Sequence, residues 1–125
     1  MNESDLDRFT NAFIEAFYFA DTGEDGQPDS DADLSEACRL DIEADCRSFW
    51  RRFGRYLTTE TCRKAFDDPV TQAGYDFYMT RQGHGVGFWE DEWPGPARHR
   101  DLLTKAAKGY GELFLYQGDD GLIYC

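Results

Sequence analysis

Two apolar faces written mostly in large side chains constrain this chain more than anything else in it. Leu6, Phe9, Phe13, Ala16 and Phe17 recur three and four residues apart, the spacing that lines side chains along one side of an α-helix. Ile42, Cys46, Phe49, Trp50, Phe53 and Leu57 do the same further on. Such faces must be buried against something, so the chain has to build a core around them. The first predicts a helix over 4–19, capped by Ser4, with Asp5 and Asp7 in a first turn whose partial positive charge favours acids. The second predicts a long helix over 34–57. Ten Phe, seven Tyr and three Trp in 125 residues supply enough apolar area for one core, and a single domain spanning 1–125 is expected.

Beyond residue 57 the pattern changes. A short helix is expected over Glu60 to Phe66, ended by Asp67-Asp68-Pro69. In GYDFYMTR, Tyr75, Phe77 and Met79 alternate with Asp76, Tyr78 and Thr80, the period of a β-strand. VGFWEDEW reads as its antiparallel partner, with Gly83, His84 and Gly85 in the turn. Gly83 and Gly85 would take positive φ there, and Gly87 would let another backbone or ring approach closely. Of Phe88 and Trp89, one is expected in the core and the other at the surface. After PGP at 94–96, Leu102, Leu103, Ala106, Ala107 and Tyr110 predict a helix over 97–110. ELFLYQ, GDDG and LIYC then form a second hairpin. The expected fold is α+β, with N-terminal helices packed on a small antiparallel sheet made from two β-hairpins.

Charge is distributed unevenly. Residues 1–36 hold eleven acids and one base, Arg8, whereas the remaining residues are close to neutral within a total of −12. Most of the excess lies in ADTGEDGQPDSDAD, residues 20–33, where nothing looks able to pack, so 21–33 reads as an acidic solvated loop. An acidic balance disfavours direct contact with a nucleic-acid backbone and favours a basic protein surface. The loop does not make a calcium site: a frame from Asp21 lacks the third ligand and the terminal glutamate, and one from Asp29 has Leu34 where glycine is required. Arg47, Arg51 and Arg55 form a basic stripe on the second helix, read as a face that is solvated or paired with the acidic first third of the chain and, alternatively, as a nucleic-acid contact.

Cys38, Cys46, Cys62 and Cys125 have no zinc-module spacing, so reduced thiols in a cytoplasm are expected, with Cys46 a small core residue. The acidic N-terminus predicts no signal peptide, and no apolar run approaches the roughly 18 residues of a membrane span. No cofactor or metal is expected, and the oligomeric state is open.

TRQGHGVGFW, residues 80–89, raises three chemical readings. It lacks the G-x-G-x-x-G spacing and the Walker lysine of phosphate loops. His84 is one of two histidines, and with Asp76 across the expected hairpin it would suit acid–base chemistry in a small hydrolase. As a turn, the stretch instead exposes Arg81, Gln82 and His84 as contact residues.

AGYDFYMTRQGHGVGFW, followed by a helix and LYQGDDGLIY, resembles a group of small acidic proteins carried by bacteriophages and related mobile elements. Ala73, Gly74, Asp76, Phe77, Thr80, Arg81, Gly83, His84, Gly85, Gly87, Phe88 and Trp89 carry the resemblance. Tyr75 stands where the group often has histidine, Tyr78 where it has tryptophan, and Gln82 where it has asparagine. The group has no assigned chemistry, so the resemblance implies a phage setting and not an activity. In that setting the expected function is non-enzymatic: inhibition of a host nucleic-acid-processing defence complex, of the anti-CRISPR or anti-restriction kind, in the host cytoplasm. Asp21, Glu24, Asp25, Asp29, Asp31 and Asp33, with Arg81, Gln82 and His84, would meet a basic host protein or ribonucleoprotein surface.

Overall fold

A computed structural model describes residues 3–57, 68–90, 93 and 96–125. It is a helix-rich α+β fold: α1 (Glu3–Asp21), α2 (Glu36–Phe53) running into a 3₁₀ turn (Gly54–Tyr56), α3 (Pro69–Arg81), α4 (Ala97–Gly109), and two short antiparallel strands, β1 (Tyr116–Gln117) and β2 (Ile123–Tyr124). The helix expected over Glu60 to Phe66 lies outside the described residues.

The two apolar faces do form α1 and α2. Phe9, Phe13, Phe17, Ile42, Cys46, Phe49 and Trp50 are all buried, as expected for Cys46. Ser35 caps α2 by accepting the Cys38 N–H at 3.1 Å. Rings carry much of the packing: Phe77 stacks on Phe49 with centroids 4.2 Å apart, and Phe9 and Phe88 flank Phe49 at 6.0 and 5.7 Å.

Residues 74–80 are not a strand. They belong to α3, and the hairpin expected from 74 to 93 is replaced by a helix and a folded loop. The cause lies at both ends. Asp68 is the N-cap, accepting the Val70 N–H at 3.1 Å, and Pro69 occupies the first helical position, where its missing N–H costs nothing. At the other end Gly83 takes φ +74°, its N–H reaching the Thr80 carbonyl at 3.3 Å while the His84 N–H reaches Met79 at 3.0 Å. That pair of bonds is a Schellman closure, which needs a residue in the left-handed region, and glycine supplies it. Gly85 is not in that region. RQGH therefore terminates a helix, and the stretch that follows folds back on α3: the Phe88 N–H donates to Thr80 Oγ1 at 3.1 Å and the Trp93 indole to Asp76 at 2.7 Å. Phe88 is buried and Trp89 is partly exposed. A Cβ at Gly87 would meet the Trp89 ring at 2.3 Å, so the close approach of a ring is real although no strand is present.

α1 and α3 are the most closely packed helices. Gly74 makes this possible, because a Cβ there would come within 2.1 Å of the Phe9 carbonyl oxygen. The helices thus pack mainly on one another, and the single hairpin among the described residues closes one end. Its GDDG turn places Gly121 at φ +83°, and Ile123, fully buried, pairs in parallel with Leu34 at the entrance to α2. Among the described residues no helix is long and apolar enough to cross a membrane.

A disulfide joins Cys38 to Cys125, correcting the expectation of reduced thiols at these positions. The pair is separated by 87 residues in sequence, and the Leu34–Ile123 pairing brings its two ends together. Cys46 is a free thiol, and burial raises its pKa well above the ordinary value.

Candidate functional site

The acidic segment leaves α1 at Asp21 and returns at Leu34. It is not the unpacked loop that its composition suggests. Thr22 and Pro28 are buried, Gly23 N–H bonds the Pro28 carbonyl at 2.9 Å, and Gln27 N–H bonds Glu24 at 3.0 Å. Tyr18 Oη donates to the Ala32 carbonyl at 2.7 Å, and the Asp29 N–H donates to Gln117 Oε1 at 3.1 Å. These bonds use backbone groups and leave the acids outward. Glu24, Asp25, Asp29, Asp31 and Asp33 are exposed and form no ion pair among the described residues.

Asp21 differs from the others. Its Oδ2 accepts the Tyr78 hydroxyl and lies 3.0 Å from His84 Nε2. Burial, followed by the Asp21 carboxylate, raises the Tyr78 phenol far above its ordinary pKa, with nearby Glu112 adding to the effect. Tyr78 is therefore a fixed donor. It comes from α3, Asp21 from the end of α1, and His84 from the Schellman turn, so the cluster ties three elements together.

Beside it runs a groove of about 330 Å³ between the loop and the C-terminal segment. Asp21, Gly26, Gln27 and Pro28 contribute to one side and residues 112–116 to the other, with Gln82 between them. Phe114 and Tyr116 are 77% and 59% exposed, which is a large apolar area to leave in water beside the Asp21 and Glu112 carboxylates.

The remaining expected contact residues divide sharply. Arg81 is not available to a partner. Its side chain is 4% exposed; Nε donates to the Gly111 carbonyl at 2.6 Å, Nη2 donates to Tyr110 at 3.3 Å, and Nη2 pairs with Asp45 at 2.9 Å. Gln82 faces the groove, but both ends of its amide are committed to the Leu113 backbone. His84 keeps about a third of its side chain exposed.

His84 and Asp76 do not form a pair. Asp76 is fully buried on α3, holding Gln72 Nε2 at 3.1 Å and the Trp93 indole, whereas His84 is engaged with Asp21. Arg47, Arg51 and Arg55 are exposed. Arg47 lines a separate polar cleft of about 240 Å³ with Arg39, Glu43 and residues of α1, and Arg55 lies over the Tyr56 ring at 4.9 Å. Among the described residues none of the three forms an ion pair with the acidic loop. No group of three or more metal-ligating side chains is gathered among the described residues.

Sequence reasoning missed Tyr78, Glu112, Phe114 and Tyr116. The two rings were legible in principle, since residues 114 and 116 of an extended segment share a face. A comparison of the chain with protein-family models, curated proteins and solved structures finds no match.

Proposed function

We propose that this chain is a non-enzymatic binding protein of phage or mobile-element type, which occupies a basic surface of a host nucleic-acid-processing defence complex in the host cytoplasm. One observation carries the reading. Five exposed carboxylates without ion pairs among the described residues are carried on the loop that forms one side of a groove, and two exposed aromatic rings stand on its other side. Carboxylates of this kind steer a cationic partner and compete with its phosphate ligand, and exposed rings are the residues that anchor protein interfaces. The resemblance of residues 73–89 and 115–124 to phage-borne acidic proteins supplies the setting.

The test is phage survival in bacteria expressing this chain alongside an active CRISPR or restriction system. Wild type protects. A variant with Glu24→Gln, Asp25→Asn, Asp29→Asn, Asp31→Asn and Asp33→Asn keeps its melting temperature and loses protection. Equal protection by this variant, or no protection by wild type against any such system, would overturn the proposal.

A second reading has one observation in its favour: the imidazole of His84 is oriented by a carboxylate at the rim of a groove, the pairing used by a general base. This replaces the His84–Asp76 arrangement. Under the binding reading His84→Gln, which keeps a polar partner for Asp21, retains protection; loss of protection in a folded His84→Gln protein favours acid–base chemistry.

A further inference from the structure

We infer that the groove between the acidic loop and the C-terminal segment is the seat of one arginine side chain, carried on an extended stretch of the basic partner. The inference deepens the docking face proposed above and rests on it.

The occupant is read from the walls. Asp21 is held by Tyr78 and His84 through Oδ2 alone, so Oδ1 keeps its acceptor capacity on a side chain that is only 24% exposed. Such a carboxylate is fixed before any ligand arrives, which lowers the ordering cost of binding. Glu112, on the same groove, makes no ion pair among the described residues. Among the described residues no lysine or arginine lines the groove. Pro28, Leu113 and Leu115 offer apolar surface for a methylene stem. The Phe114 ring and the face of Tyr116 turned away from Tyr124, on which it stacks at 5.6 Å, are open to a cation.

A charged head between rings and carboxylates, on an apolar stem, describes lysine or arginine. Arginine fits better, because a planar guanidinium can stack on a ring while its fork engages a carboxylate, whereas an ammonium is a compact and strongly hydrated charge. The exposed acids at 24, 25 and 29 on the adjacent loop add a field that draws the basic stretch in.

The experiment is an NMR titration of the full chain, disulfide intact, with end-capped Gly-Ser-Arg-Ser-Gly. Matching peptides carry lysine, citrulline or norleucine at the centre. The arginine peptide is expected to shift the amides of Asp21, Gly26, Gln27 and Leu113 to Tyr116. The citrulline and norleucine peptides leave them in place. Glu112→Gln and Phe114→Ala, both at exposed positions, each weaken the arginine peptide by roughly threefold to tenfold without changing the melting temperature. Shifts centred elsewhere, equal binding of citrulline, or lysine binding as tightly as arginine would each overturn the assignment. The two proposals fail separately. If phage protection depends on the loop acids but the groove ignores the arginine peptide, the seat is wrong and the docking face stands. If the groove takes arginine and no defence system is inhibited, the seat stands and the proposed function falls.

Discussion

Gln82 grips Leu113 by both of its backbone groups. The Leu113 N–H donates to Oε1 at 2.8 Å, and Nε2 donates to the Leu113 carbonyl at 3.0 Å. The side chain thus does for the 111–117 segment what a neighbouring strand would do, and it fixes one wall of the groove. Gln82→Ala removes both bonds at a cost of about 1–3 kcal/mol. Hydrogen exchange should show the Leu113 amide losing protection in that variant, with the amides of α1 unchanged. Equal protection of Leu113 in both proteins would show that the amide clamp does not hold the segment.

Arg81 performs the matching task below the surface. Its buried guanidinium serves the Gly111 and Tyr110 carbonyls and the Asp45 carboxylate together. Lysine has neither the fork nor the planarity to reach all three. Arg81→Lys is expected to lower stability by about 2–4 kcal/mol in a denaturant melt, whereas Arg51→Lys, on the exposed face of α2, should leave the midpoint unchanged.

Gly74→Ala is the most damaging single change expected. The added methyl carbon would lie 2.1 Å from the Phe9 carbonyl oxygen and 2.8 Å from Ala12 Cβ, against backbone that cannot swing aside. α1 and α3 would have to separate, and a loss of about 3 kcal/mol or more should appear as a strongly lowered melting temperature. Gly109→Ala meets nothing within 4 Å and serves as the control.

Asp68 links stability to pH. Burial pushes its carboxyl up, but hydrogen bonds from Thr71 and the Val70 N–H, with the Arg8 charge, hold it below the ordinary 3.8. A carboxylate that is more acidic when folded stabilises the fold above its unfolded pKa. That contribution is lost as pH falls through the folded value. Asp68→Asn keeps an N-cap oxygen and loses the pairing with Arg8, so at pH 7 it should cost about 0.5–1 kcal/mol. The difference between variant and wild type should close once the pH drops below the folded value. A constant gap from pH 7 to pH 2 would contradict this account.

The Cys38–Cys125 bond is expected to reinforce the C-terminal hairpin without being its sole support. The Ser35 N–H donates to the Ile123 carbonyl at 2.8 Å, and the Ile123 N–H donates to Asp33 at 2.8 Å. Reduction should therefore lower stability by about 2–4 kcal/mol while the Ile123 amide remains protected at 25 °C. Under reducing conditions these backbone bonds are what would keep the groove in shape.

The helices α1, α2 and α4 were legible because each has a wet side and a dry side, and the 3.6-residue period shows through. α3 was not. It is buried on nearly every side, including Gln72, Asp76, Thr80 and Arg81, so no polar stripe marks its period and the local alternation of Tyr75, Phe77 and Met79 imitates a strand. Asp68-Pro69 reads in the sequence as a stop for the segment before it and also starts α3, since the same dipeptide serves both ends of a helix. Of the site, the outward acids could be read from composition. The inward turn of Arg81 and the clamp at Gln82 could not, because their partners are backbone groups some thirty residues away. The disulfide was hidden for the same reason, its partners being brought together only by the Leu34–Ile123 pairing.

That pairing also sets an order of events during synthesis. One wall of the groove is made early, from residues 21–28, and the other only when residues 112–116 have left the ribosome and Ile123 has reached Leu34. A nascent chain presents its acids but no groove, so under the proposed reading it would attract a cationic partner before it could hold one.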